Sequence, residues 1–303
     1  MEKIKSNIFV ETVYPGVNVG CVVTGQGSIC IDTPWLPAEA QRWRARIRSL
    51  DGEPIRFVVY TNGQQERVLG TQYLIRPQQP PAPPAPEHNQ DLGKGTVVAH
   101  KQAWEQVESL CSNNFKQSMI DLLADRDPDV VDLEVILPQI TLDERIKLFA
   151  GDEVVTLLAA SRGMLWVWLA EQRVLFTGDT IVVGTHPPLT ITDTEEWLGA
   201  LERLRQEEQF QDAVIVPGRG ALCDVSAAEP LTSYLSMARE STLKVYRTGR
   251  PKADLNAVAA ELMPLYPVAN GQRERVQRQI KQGLDELYDA CKAADAANSE
   301  APG

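Results

Sequence analysis

At 303 residues the chain has room for one large domain and a smaller appendage around a substantial core. Its 43% hydrophobic and 23% charged residues match an ordinary globular protein, while a formal net charge of −11 argues against general binding to nucleic acid or anionic membranes. No run reaches the roughly 18 apolar residues of a membrane helix, and the basic N-terminal stretch lacks the apolar segment of a signal peptide.

Taken in order, residues 7–13 and 18–24 alternate as strands around a Pro15-Gly16 turn, and 28–32 makes a third strand after the turn at 25–27. Residues 37–50 read as a helix whose apolar stripe is Trp43, Ile47 and Leu50, with Arg42, Arg44, Arg46 and Arg48 on its solvated flanks. A short buried strand at 57–60 runs into a polar turn at 61–65, and a helix begins at Glu66. The proline-rich segment 76–93 reads as an inserted surface loop in polyproline II or disorder, open to a proline-reading partner. A strand follows at 96–99 and a helix at 100–111. Residues 118–138 read as a helix and an excursion, broken at Asp127-Pro128. An antiparallel hairpin series is expected over 141–148, 153–159, 165–169 and 174–176. A helix capped by Thr194 covers 194–207, a buried strand 213–216, and helices 226–248, 255–265 and 272–290 close the chain before a frayed tail.

Five scattered cysteines, Cys21, Cys30, Cys111, Cys223 and Cys291, are odd in number and free of C-x-x-C spacing, so free thiols in a cytoplasmic protein are expected. Cys21 and Cys30 lie on apolar strands and read as small core residues.

Several stretches together resemble the metallo-β-lactamase superfamily over about residues 7 to 230. These are NVGCVVTGQGSICIDTPW, the strand and turn of FVVYTNGQQERVLG, AASRGM, VLFTGDT and VPGRG. The resemblance implies an α/β (α+β) fold: an αββα sandwich of two mixed β-sheets flanked by helices. It would fill residues 1–230, followed by a helical C-terminal appendage at 231–292 and a flexible tail at 293–303. It also implies a zinc-dependent hydrolase, but the ligands depart from the family's pattern. Asn62, Gln64, Glu66 and Arg67 stand where H-x-H-x-D-H places His, His, Asp and His. Ala160, or Ser161 beside it, falls at the third His, Asp179 at the bridging aspartate, and Arg219 at the last His.

Carboxamides are weak neutral ligands, alanine has no donor, and a guanidinium stays protonated, so no cofactor is expected. A buried Asp179 without a metal needs compensation, which Arg67 and Arg219 can supply as an Arg67–Asp179–Arg219 cluster. Arg67, Arg219 and His186 are then candidate anion-binding groups. An oxygen-rich Mg²⁺ or Mn²⁺ site from Glu66, Asp179 and Asp224 is the surviving metal alternative. Of the other histidines, His88 lies in the proline loop and His100 reads as structural; no G-x-S-x-G elbow marks a nucleophile.

Two readings follow. One is a pseudo-hydrolase that binds a small anionic ligand, a protein partner or a second copy of itself, with the helical C-terminus as contact surface or site wall. The other is a working hydrolase of an ester, thioester or phosphoester with an atypical metal centre.

Overall fold

A computed structural model describes residues 1–76, 95–190 and 193–300 of the chain. Most of the proline-rich segment, including His88, lies outside the described residues.

Alternation along single strands explains the layering. In MLWVWL every residue is buried, and its two faces feed two different cores: Leu165, Val167 and Leu169 point one way, Met164, Trp166 and Trp168 the other. A strand buried on both faces must lie between layers, which is what an αββα sandwich provides. The first sheet runs β1 (Glu2–Lys3), β2 (Ile8–Glu11), β3 (Val19–Thr24), β4 (Gly27–Ile31), β5 (Ile55–Val59), β6 (Thr96–His100) and β7 (Ile140–Leu142), in that order. The second places β12 (Val214–Arg219), β11 (Val174–Val182), β10 (Met164–Leu169), β9 (Glu153–Ser161) and β8 (Arg145–Ala150) side by side. Both are mixed: β4 to β7 pair parallel, as do β11 and β12, and the remaining pairs are antiparallel.

Between the sheets, Ile29, Ile31, Val59 and Val98 meet Leu157, Val167, Val174 and Phe176. Outside the first sheet, α1 (Pro37–Ser49), α2 (Gln65–Val68), α3 (Thr71–Ile75), α4 (Lys101–Ser109) and α5 (Asn113–Leu123) cover a core containing Trp43, Ile47, Leu74, Val107 and Leu123. Outside the second, α6 (Thr194–Gln206), α7 (Ala228–Arg247), α8 (Leu255–Leu262) and α9 (Arg273–Glu300) pack on Trp166, Trp168 and Leu175. Trp197, Leu235, Leu262, Ile280 and Leu284 belong to that one cluster, so the C-terminal helices form the fourth layer and share the core of the second sheet. Among the described residues no helix is long and apolar enough to cross a membrane.

Several boundaries differ from the sequence reading. The segment read as one strand over 141–148 is two: β7 extends the first sheet in parallel, and Asp143-Glu144 carry the chain across to β8. A β-period marks extended backbone but not the ladder it joins. The strand expected to end at Phe176 continues to Val182, through the positive-φ Gly178. Asp193, not Thr194, caps α6: its carboxylate accepts the amides of Glu195 at 2.8 Å and Glu196 at 3.2 Å, and Thr194 is buried. His100 ends β6 and caps α4 by accepting the Gln102 amide at 3.1 Å. Nor is the arginine face of α1 simply solvated, since Arg46 pairs with the buried Glu11 and Arg44 with Glu53. The helix that closes the described chain, α9, is assigned from Arg273 to Glu300.

All five cysteines are free thiols. Cys21 and Cys30 face each other across β3 and β4 inside the core, and Cys21 together with burial pushes the Cys30 thiol well up, away from the reactive thiolate.

Trp197 ties the outer helices to the site-bearing strand: it is fully buried on α6 and donates Nε1–H to the Thr180 carbonyl at 2.9 Å. Trp197→Ala is expected to lower unfolding free energy by about 3–5 kcal/mol, read from the midpoint of a urea titration at unchanged slope.

Candidate functional site

The parallel strands β4, β5 and β12 end at the same edge of the sandwich, where open α/β sheets converge on a crevice. Asp32 follows β4 with φ 54°, a left-handed conformation that aspartate tolerates better than most residues. Thr61 and Asn62 follow β5, and the single turn of α2 carries Arg67 inward. Asp179 lies just beyond Gly178 on β11, and Arg219 ends β12.

Two guanidiniums grip one carboxylate. Arg67 donates Nε–H to Asp179 Oδ2 at 3.2 Å and Nη2–H to Oδ1, while Arg219 donates Nε–H to Oδ1 at 3.1 Å and Nη2–H to Oδ2 at 3.4 Å. Asn62 adds an amide donor to Oδ2 at 3.2 Å. On its far side Arg67 donates Nη1–H to Asp32 Oδ2 at 2.7 Å, and Asp32 also accepts the Thr61 hydroxyl at 2.6 Å and amide at 2.8 Å. The Arg67 carbonyl is held in turn by the Thr33 amide at 3.1 Å and hydroxyl at 2.9 Å. Arg67 and Asp179 are wholly enclosed, Asp32 is 1% exposed, and the Arg219 side chain retains 22% exposure.

Glycine makes this packing possible. A Cβ on Gly218 would stand 2.5 Å from both Arg67 Nη2 and Asp179 Oδ1, and one on Gly178 would stand 2.5 Å from Thr61 Oγ1.

The charges balance as two cations against two anions, yet the carboxylates respond oppositely. Burial alone would raise Asp179, but Arg219 and then Arg67 outweigh it and hold the carboxyl at about 2. For Asp32 burial prevails over Arg67 and Thr61, and its carboxyl sits above the usual range. Burial disfavours the Arg67 cation, but Asp179 and Asp32 overcome that and raise its pKa.

Through Arg219 the cluster meets a crevice of about 610 Å³, bounded by the Tyr14–Asn18 turn, the loop after β11 and the inner face of α9. Gln64, Glu66, His186 and Arg219 line it. Asn62, Arg67, Asp179 and Arg219 thus come together, with Glu66 and Gln64 at the rim.

Other candidates stand elsewhere. Ala160 and Ser161 line a separate depression beside His100. Asp224 is exposed and accepts the Ser226 amide at 2.8 Å, capping a 3-10 turn, and it does not line the crevice with Glu66 or form a metal-holding group with it and Asp179. His186 packs between Tyr234 and Tyr266, bonded to the Tyr234 hydroxyl at 3.2 Å, and burial lowers its pKa; it lines the crevice, with Nε2 lacking a hydrogen-bond partner. Arg67 is saturated by protein acceptors and enclosed, whereas Arg219 keeps one donor, Nη1, out of the cluster and lines the crevice. Asp32 was not among the expected site residues; its signal was the Asp-Thr pair at the end of β4.

The family model described as the Metallo-beta-lactamase superfamily matches residues 15–219, which include every member of this cluster. The chain belongs to the metallo-beta-lactamase superfamily. Solved structures agree at the level of fold. The DIM-1 metallo-beta-lactamase shares 18% identity and a TM-score of 0.55, covering 78% of this chain and 96% of its own. A metallo-beta-lactamase family protein from Thermus thermophilus shares 15% identity and a TM-score of 0.63 over 95% of each chain. A double mutant of the sec-alkyl sulfatase PisA1 shares 14% identity and a TM-score of 0.66, over 95% of this chain and 49% of that one. No curated protein matches the sequence.

The zinc that the superfamily implies does not fit these residues. Both oxygens of Asp179 are taken by guanidinium donors, so a divalent cation there would meet two fixed positive charges. Among the described residues no group of three or more His, Cys, Asp or Glu is arranged to hold a metal ion.

Removing the central cation strands two buried carboxylates. Arg67→Met is expected to cost about 3–5 kcal/mol in a denaturant titration, and adding Asp32→Asn and Asp179→Asn should recover part of that loss. The depressed Asp179 pKa supplies stability that is fully present above its unfolded value near 3.8 and is lost as pH falls toward about 2. Between pH 5 and pH 2 the wild type is therefore expected to lose about 2 kcal/mol more than Asp179→Asn, measured by denaturant titration across pH.

Proposed function

We propose that this protein is a non-hydrolytic member of its superfamily, in which an arginine–aspartate network replaces the metal centre and the crevice above it serves to bind a small ligand. The observation that carries this reading is the placement of Arg67, fully enclosed between Asp32 and Asp179 at a position where the family's motif has a metal-binding histidine. A protonated guanidinium neither donates a lone pair to a metal nor generates hydroxide from water at neutral pH. What remains is a preorganised floor whose Arg219 still faces the crevice, able to answer an anionic group on the ligand.

The competing reading is a hydrolase with an atypical metal centre, and the similar folds include a lactamase and an alkyl sulfatase, so β-lactams, sulfate esters, thioesters and phosphoesters are the substrates to offer. Protein purified without chelator is expected to carry below about a tenth of an equivalent of Zn, Mn or Fe, and added zinc should give neither saturable binding nor hydrolysis. Near-stoichiometric metal together with turnover that disappears in Asp179→Asn would overturn the binding reading.

A further inference from the structure

One carboxylate in the crevice has no answer within the protein. Glu66 precedes Arg67 on α2 and lines the crevice, and its Oε2 is shut away from solvent without a hydrogen-bond partner. None of the ion pairs among the described residues includes it. A carboxylate oxygen removed from water without a donor destabilises the fold, and such a group retained in a crevice points to a partner that arrives from outside.

The neighbouring cations do not satisfy it. Arg67 and Arg219 are already shared with Asp32 and Asp179, so the floor is neutral before Glu66 is counted. Arg219 spends Nε and Nη2 on Asp179 and leaves Nη1 unpaired. The crevice therefore presents one unanswered carboxylate, one partly answered guanidinium in its floor and the exposed guanidinium of Arg275 on its α9 wall, while the rest of its lining is mostly uncharged, among it Tyr14, Val17, Leu189 and Val276. An anion alone would leave Glu66 unpaired and repelled; an amine alone would leave the free donor of Arg219 unused.

We propose that the ligand is a small zwitterion of the amino-acid or short-peptide type, its protonated amine held by Glu66 and its carboxylate by Arg219. This deepens the binding reading above and rests on it. A volume of about 610 Å³ suits such a molecule, within the range of about 300–1,000 Å³ common for small-ligand sites.

The test uses the full chain, with free amino acids and dipeptides offered beside their N-acetyl and C-amide derivatives, by thermal shift and then calorimetry. At least one zwitterion is expected to bind, with N-acetylation and amidation each weakening it by about tenfold or more. Glu66→Gln keeps the shape and removes the charge. It should melt no lower than wild type without ligand, bind the zwitterion about tenfold more weakly, and bind the N-acetyl derivative at least as well as wild type does. Failure of every zwitterion to bind would overturn the inference. So would equal binding of the N-acetyl form with no effect of Glu66→Gln, but that result would still leave an anion-binding, non-hydrolytic protein. Metal-dependent turnover would instead defeat the underlying reading, whatever the zwitterions do.

Discussion

The structure turns on a guanidinium enclosed between two carboxylates. Arg67 reaches Asp32 at the end of β4 and Asp179 on β11, so one side chain spans both sheets of the sandwich. A metal would do the same by drawing ligands from separate strands, but a metal takes lone pairs and a guanidinium offers protons, so every surrounding group must be an acceptor. They are: two carboxylates and the Gly218 carbonyl, the last at 3.3 Å. Thr61 then donates to Asp32, and Asn62 and Arg219 donate to Asp179, so each oxygen of both carboxylates has a donor.

Buried ion pairs are weak evidence for stability as such, since apolar replacements of similar volume are often as stable. Their effect here is better described as specificity. The network fixes β4, the β5–α2 turn, β11 and β12 at one point, and Gly178 and Gly218 permit an approach that any side chain would block. Around it the polar ring is tight, whereas the crevice above is open and bounded by α9, a helix whose apolar side belongs to the core of the second sheet. The C-terminal helices thereby make one wall of the candidate site as well as the outer layer of the fold.

How much of this was legible in the sequence depends on what each residue had to reveal. Strand alternation and the FVVYTNGQQERVLG, VLFTGDT and VPGRG stretches located β5 and β10 to β12 and placed Arg67, Asp179 and Arg219 in one expected cluster, because those residues carry their chemistry in their identity. Asp32 was harder to read, since an aspartate at a strand end is common and only the fold shows that it faces Arg67. Asp224 was a candidate on identity and chain position and instead caps a 3-10 turn, whereas His186 borders the crevice but is held among tyrosines, a setting that chain position does not reveal. The crossing from β7 to β8 at Asp143-Glu144 left no periodic trace, because two consecutive extended segments look like one.

Charge counting separates the role of Arg67 from that of the residues beside it. With Arg67 and Arg219 set against Asp32 and Asp179 the floor is electrically complete, and nothing in that quartet asks for a ligand. Had the site kept only its fold, a neutral side chain at position 66 would finish it at lower cost than a glutamate with a sealed, unpartnered oxygen. The excess charge lies on the crevice side of a rigid, neutral platform, beside the guanidinium of that quartet that still meets solvent. Function in this reading resides in the charges that the fold does not use, and Glu66 is the residue where the two requirements part.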